Sequence, residues 1–441
     1  MAQATTIAVI DSGIDYKHTE LENLIWENKN EADSNQLDDD GNGFVDDVRG
    51  WNFANNHSRL IDYDDEAFYS EDIDKFLDIQ NRSLFGEATV GEQKWAEAKL
   101  QEGSFARDIG SYLNYAHGTH VAGIMTKGIS DVKIIDIRVI PGKEMEEVKE
   151  NLKEQVRIAL IEKEDVEFIL EFVFKMGLKL YAKMSNKMFT NVVDYLIAND
   201  VKIANASIGF GLNQARSFVS PFLMIIGRGQ APSQEVIDEY AVFFLKQMRQ
   251  AQQQAFAKAN DTLFIFAAGN DGEDNDLSPT LPGSVNLANT MSVGASVDRQ
   301  AIAPFSNYGA LSVDVFAPGV GIKSLAPMDK TIMMSGTSQA SPMVAAIAVK
   351  IKQLNPKLTP SEIKSIIMGT ADRQEFLKGK AFTEALVNQK RATLAAELSI
   401  DRSVKEAINE SKAEVENLAS ESLFPELNSK LIGKPYLPSF L

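Results

Sequence analysis

Four polar residues stand where they could do chemistry: Asp11, His117, Asn270 and Ser338. Ser338 lies in Ser335-Gly336-Thr337-Ser338-Gln339-Ala340-Ser341-Pro342, a small, flexible approach to the apolar run from Met343 to Leu354. Pro342 suits the first turn of a helix, where a missing N–H costs little. Ser338 is therefore expected where loop becomes helix, with its hydroxyl exposed and the positive end of the helix beside it. That place suits a nucleophile whose reaction builds an oxyanion. The stretch also reads as an ordinary serine cap. A serine hydroxyl needs a neighbouring base to take its proton. The base in turn needs a carboxylate to fix its tautomer and stabilise its charged form. Two of the four histidines fall in His117-Gly118-Thr119-His120. Metal pairs on helices are usually spaced by four and come with a carboxylate. Spacing by three fits better one functional histidine, His117 at the helix entrance, and one packed one, His120. Asp11 closes a β-branched run that starts at Thr5, and Asn270 follows an apolar run that starts at Thr262. Both are also ordinary turn residues.

Those positions need a frame. Short apolar runs at 5–10, 132–140, 201–208, 262–268, 291–297 and 311–316 read as strands, with helical patterns between them. The alternation predicts an α/β fold, a mostly parallel sheet flanked by helices, with large helical insertions. In such folds sites collect at the carboxyl ends of the strands. Asp11, Asn205, Asn270 and the Ser338 loop all fall at strand ends or helix starts, so they can converge there. The expected organisation is one domain over residues 1–380, with insertions at about 62–115, 143–190 and 212–260. A C-terminal helical extension follows over 381–441.

Composition narrows the function. The chain has 441 residues, 44 Lys and Arg against 62 Asp and Glu, and a formal net charge of -18. That balance argues against nucleic acid as the main partner. It fits cation binding where carboxylates cluster. No cysteine is present, which excludes disulfides and thiolate metal sites. No apolar run is long enough to span a membrane, and residues 1–4 show no signal-peptide pattern.

One cluster is Asp38-Asp39-Asp40-Gly41-Asn42-Gly43-Phe44-Val45-Asp46-Asp47. Asp38, Asp40 and Asn42 alternate like the first ligands of a calcium loop, and Gly43 permits the sharp turn. The glutamate that should close such a loop is replaced by Arg49, so this is not an EF-hand. Asp46 or Asp47 is expected to complete the shell around Ca²⁺; the alternative is a solvated acidic turn.

Three stretches then carry a specific resemblance. Asp11-Ser12-Gly13, His117-Gly118-Thr119-His120 and Gly336-Thr337-Ser338-Gln339-Ala340-Ser341-Pro342 resemble, in order, the signature motifs of the subtilisin family of serine endopeptidases. Ala267-Ala268-Gly269-Asn270 resembles its oxyanion segment and Ser207-Ile208-Gly209 its substrate-binding strand. The order Asp…His…Ser separates it from trypsin-like and α/β-hydrolase proteins. The resemblance implies a Ser338–His117–Asp11 triad, with Asn270 and the Ser338 N–H binding the oxyanion. Ser207, Ile208 and Gly209 would add an extended polypeptide as a further strand, and Ala268 and Gly269 would wall an open, apolar pocket. It also implies an N-terminal propeptide that is removed, and a secreted or cell-envelope location. The insertions are large enough for an oligomer interface or a lid. Family members often carry Met after the nucleophile, where this chain has Gln339. Two alternatives stand beside the endopeptidase: a non-catalytic scaffold of the same fold, and a narrow-specificity processing protease.

Overall fold

Residues with period-two alternation build a sheet that can be covered on both faces. In the computed structural model, which describes residues 4–84, 86–140, 167–226 and 230–418, this sheet is the centre of the molecule. Its strands are β1 (Thr5–Asp11), β2 (Gly50–Asn52), β3 (Val132–Arg138), β4 (Ile203–Ala206), β5 (Leu263–Ala267), β6 (Thr290–Val297), β7 (Ala301–Ile302) and β8 (Val315–Pro318). A hairpin of β9 (Ile322–Ala326) and β10 (Lys330–Met334) stands apart from it, and β11 (Asp372–Arg373) and β12 (Ala385–Leu386) rejoin it. The order across the sheet is β11-β12-β8-β6-β5-β4-β1-β3-β2, with β7 beside β6. All pairs are parallel except β6–β7 and β11–β12. The expected strand at 311–316 forms later, as β8, because Ser312 and Leu311 instead cap the Asp276 carboxylate.

The helices are α1 (Glu71–Leu84), α2 (Val90–Gln101), α3 (Gly103–Thr126), α4 (Glu167–Ala198), α5 (Leu212–Ile226), α6 (Gln234–Phe256), α7 (Thr337–Leu354), α8 (Pro360–Thr370), α9 (Gln389–Leu398) and α10 (Val404–Glu414). Alternate residues of β1 show how they divide. Ile7 and Val9 pack with Val121 and Met125 of α3 and Val344 and Ala348 of α7. Ala8 and Ile10 pack on the other side with Val192 of α4, Val219 of α5 and Phe244 of α6. That second side is rich in rings, with Phe218 stacked on Phe244 at 4.9 Å. Helices α4 to α6 are thus the cover of one sheet face. The acidic stretch between β2 and His117 builds a smaller aromatic cluster of its own, around Ile73, Phe76, Phe105 and Tyr112. Part of the expected insertion at 143–190 lies outside the described residues. Residues beyond 380 share the main core: β12 pairs with β8, and Ala395 of α9 joins the α7 side. Thr359 and Glu362 form the capping box that starts α8. Among the described residues no helix is long and apolar enough to cross a membrane.

Candidate active site

The parallel register sets the site. Asp11 pairs with Arg138 at the end of β1, and Ala206 of β4 pairs with Ile10 and Phe266. Asp11, Ser207 and Ala268 therefore emerge side by side at the carboxyl edge. The Asp11 carboxylate is wholly buried; its Oδ1 accepts the Ser12 N–H at 2.7 Å and lies 2.8 Å from His117 Nδ1. The turn after Asp11 is held from three sides. Ser12 Oγ accepts Gly118 N–H at 3.2 Å, Thr119 Oγ1 accepts Asp15 N–H at 2.9 Å, and Asp136 Oδ2 accepts Ile14 N–H at 2.8 Å. Gly118 has to be glycine, since a Cβ there would stand 2.2 Å from Gly13 O.

His117 is not at a helix entrance as the sequence suggests. It lies well inside α3, which starts at Gly103. The apolar run at Val121-Ala122 reads as the opening of the helix, but α3 begins at Gly103 and runs through Gly118. The base thus receives no help from a helix N-terminus. His120, one turn on, is the packed histidine. Its Nε2 lies 3.1 Å from Ile322 O and 3.2 Å from Ile332 O. Burial, reinforced by His117, lowers its pKa to about 3, so it stays neutral and donates to both strands of the β9–β10 hairpin.

Ser338 sits one residue inside α7, whose cap is Gly336. It is not the cap itself, and it is buried where exposure was expected. Its N–H belongs to the first turn, where helix geometry supplies no carbonyl. Its hydroxyl donates to Ser207 O at 3.2 Å. The Ser207 side chain turns inward: Oγ donates to Ser338 O at 2.9 Å and shares a 2.9 Å bond with Ser341 Oγ. Ser207 so ties the end of β4 to the start of α7. Ile208, Gly209, Ala268 and Gly269 are also buried, so the strand and wall expected to meet a substrate are covered. Asn270 Oδ1 accepts both Thr337 N–H at 2.9 Å and Thr337 Oγ1–H at 2.8 Å. That fixes the amide and leaves Nδ2 buried without a hydrogen-bond partner among the described residues.

Sequence reasoning passed over two buried groups here. Asn307 accepts the N–H groups of Asp271 and Glu273 and so shapes the loop carrying Asn270. Asp136 is wholly buried, with its second oxygen unpartnered among the described residues. Burial pushes its pKa up to about 8; Asp11 adds to the rise, while the Ile14 N–H and Arg138 oppose it. A charged letter inside the apolar run Ile134-Ile135-Asp136-Ile137 was the signal available.

The acidic loop gathers a different set from the expected one. Carboxylate oxygens of Glu31, Asp40 and Asp47 come within 4.8 Å of one another. Asn28 Nδ2 bridges Asp40 and Asp47 at 2.9 Å each, and Asn42 and Tyr195 also donate to Asp47. Burial raises the Asp47 pKa against those bonds. Asp38 instead caps the N–H groups of Asn42 and Gly43, and Asp46 those of Asn35 and Gln36. Of the expected set, Asp40 and Asp47 fall in this cluster, Glu31 joins them, and Asn42 donates to Asp47. Three hard oxygen donors, two of them buried carboxylates (Glu31 and Asp47), fit a divalent cation of the Ca²⁺ kind.

Fold and site define a class: an α/β protein with a buried Asp11–His117 pair at the carboxyl edge of a parallel sheet and a buried Ser338 at the start of the helix that packs behind it. Comparison with known proteins places it further. The sequence model of the subtilase family matches residues 2–391, and the chain belongs to that family. Similar curated proteins include alkaline elastase YaB of Bacillus sp. (strain YaB), 37% identical over 33% of this chain and 36% of its own length. The cell wall-associated protease of Bacillus subtilis (strain 168) is 43% identical over 26% of this chain and 12% of its own. Subtilase-type proteinase psp3 of Schizosaccharomyces pombe is 28% identical over 67% of this chain and 49% of its own. The aligned part is thus less than half of each relative. Among solved structures, a lanthipeptide protease aligns with a TM-score of 0.48 at 16% identity, covering 88% of this chain and 86% of that one.

Proposed function

We propose that this chain is a serine endopeptidase that cuts extended polypeptide through an acyl-enzyme. The observation that carries the reading is the buried 2.8 Å contact between His117 Nδ1 and Asp11 Oδ1. It fixes the imidazole tautomer and aims the other ring nitrogen away from the carboxylate. The Ser338 hydroxyl first leaves Ser207 O and turns to His117. Its Oγ attacks the scissile carbonyl as His117 takes its proton. Asn270 Nδ2 and the Ser338 N–H meet the oxyanion. The C–N bond then breaks, and His117 hands the proton to the leaving amine. Water repeats the sequence on the ester.

The non-catalytic scaffold has no use for a fixed Asn270 amide. We further assign Ca²⁺ to Glu31, Asp40 and Asp47 as a structural ion. A secreted or cell-envelope location agrees with the name of the Bacillus subtilis relative. A fluorophosphonate probe tests the whole reading. It should label the parent once per chain and leave Ser338→Ala unlabelled, with hydrolysis of unfolded peptide lost in parallel. Equal labelling of the two proteins would reject Ser338 as nucleophile.

A further inference from the structure

The helices that cover one face of the sheet also reach past its end. The rings of Tyr181 in α4 and Phe244 in α6 lie 6.0 Å apart, and Phe244 lies 6.0 Å from Phe210. Phe210 directly follows Ser207-Ile208-Gly209 at the carboxyl edge. Tyr181 is therefore about level with that edge. A short turn joins α4 to β4, so the helix runs antiparallel to the strand, and its residues before Tyr181 point beyond the sheet. Helix α5 goes out with them: Phe218 meets Tyr181 at 4.7 Å and Phe222 meets Phe174 at 6.4 Å. An arm of helices so stands beside the proposed cleft.

Its outer side has a pattern. Along α4 a lysine precedes an apolar residue at Lys175-Met176, Lys179-Leu180, Lys183-Met184 and Lys187-Met188. Spacing by four keeps the lysines in one row on the helix. The row follows the seam with α6, where Lys175 Nζ lies 5.3 Å from the Tyr240 ring and Lys179 Nζ 5.8 Å from the Phe243 ring. Lys246 stands one turn after Phe243 and extends the row from α6. Lys175 is paired with Glu239 at 3.1 Å. Lys179, Lys183, Lys187 and Lys246 are exposed, and none has a carboxylate within ion-pair reach among the described residues. Met176 and Leu180 stand beside them, 50% and 59% exposed. Like charges in a row repel, so the fold gains nothing from this arrangement. In a chain of formal net charge -18, a row of lysines left unneutralised is complementary to an acidic partner.

We propose that this ridge is an exosite, which holds an acidic, apolar-spaced segment of the polypeptide substrate away from the bond that is cut. The inference rests on the endopeptidase reading above. Carboxylates of the segment pair with the lysines, and its apolar residues cover Met176 and Leu180. The charges set orientation and speed of capture. Once held, the segment raises the effective concentration of the scissile stretch at the cleft. A membrane fits the ridge less well. Two exposed apolar side chains are few to bury in lipid, and the net charge of the chain opposes an anionic surface.

The test uses peptides that share one cleavable chromogenic stretch. One set carries a helical extension with Glu and Leu each spaced by four, and the other has Gln for every Glu. Each extension is placed once before and once after the cleavable stretch. In one placement or both, the parent should show a KM about tenfold lower for the Glu peptide, what a few exposed ion pairs supply together, with kcat alike. Rising salt should shrink the difference. The triple variant Lys179→Glu, Lys183→Glu, Lys187→Glu should lose it and cut the unextended peptide as the parent does. Fluorescence anisotropy with Ser338→Ala, which leaves the peptide whole, should give the same preference in Kd. Equal KM and Kd for the Glu and Gln peptides in both placements overturns the exosite. So does a triple variant that loses binding to phosphatidylserine vesicles with its peptide preference unchanged, which gives the ridge to a membrane. A parent that cuts no peptide while anisotropy still favours the Glu form rejects the endopeptidase reading and leaves the acidic-segment site standing.

Discussion

The catalytic edge and the acidic loop both bury polar groups, and they treat them in opposite ways. At the loop, the buried carboxylate of Asp47 receives bonds from Asn28, Asn42 and Tyr195. At the edge, Asn270 Nδ2 stands unmet among the described residues. The first arrangement is what a structural element needs, because unmet buried groups destabilise a fold. The second is what a reacting charge needs, because a donor already aimed and dry needs no reorganisation when it appears. The contrast separates a region built for stability from one built for chemistry.

Asn270→Leu tests it most severely. Turnover should fall by about a hundred- to a thousand-fold, a magnitude carried over from subtilisin, while the unfolding midpoint falls only by the loss of the acceptor for Thr337. A large loss of midpoint with intact turnover would mean that the two regions do not differ in kind.

Next in size is the cation. Chelator should lower the midpoint by on the order of a few degrees, as for any ligand bound only by the folded chain. Asp40→Ala should abolish that response and leave peptide turnover near the parent's. Should chelator leave the melting curve in place, the carboxylates are held by Asn28, Asn42 and Tyr195 without an ion.

A further test concerns Asp136, a buried carboxyl at the same edge. Its folded pKa is raised to about 8, far above that of an unfolded aspartate. Between about pH 4 and pH 8 the folded group keeps a proton that the unfolded one has lost. Its contribution is therefore present at the acid end of that window and drains away as pH rises. Asp136→Asn keeps the shape and the acceptor for Ile14 N–H. The midpoint difference, variant minus parent, should grow from pH 5 to pH 8. A difference flat with pH would show that Asp136 is ionised throughout.

Much of this was readable in the residues. Asp11 and Asn270 could be placed from the sequence at strand ends and Ser338 at a helix start, whereas His117 lies deep in α3. The α/β alternation was equally plain. What stayed hidden depends on the path of the chain between elements. Glu31 reaches Asp40 and Asp47 only because Trp26 N–H bonds Ile134 O and the stretch after it turns back to bond Val48 O from Asn28. No local pattern carries that. The early start of α3 was hidden because the residues from Gly103 to Tyr115 carry no cap or stop signal that ties them to the apolar run after His117. The burial of Ser338 depends on packing around the cleft, to which a motif is blind.

Helix α7 has a consequence for when the chain can cut. It is buried along most of its length, and its Val344, Ala345 and Ala348 belong to the core that joins β1 to β6. Yet Asp11 is made first, and Ser338 more than three hundred residues later. During synthesis, the growing polypeptide carries its aspartate and histidine long before it owns a nucleophile. One side of the sheet also waits for the same helix to cover it. On the proposed reading, a large piece of the core and the nucleophile arrive together, and a copy that ends before α7 would lack both.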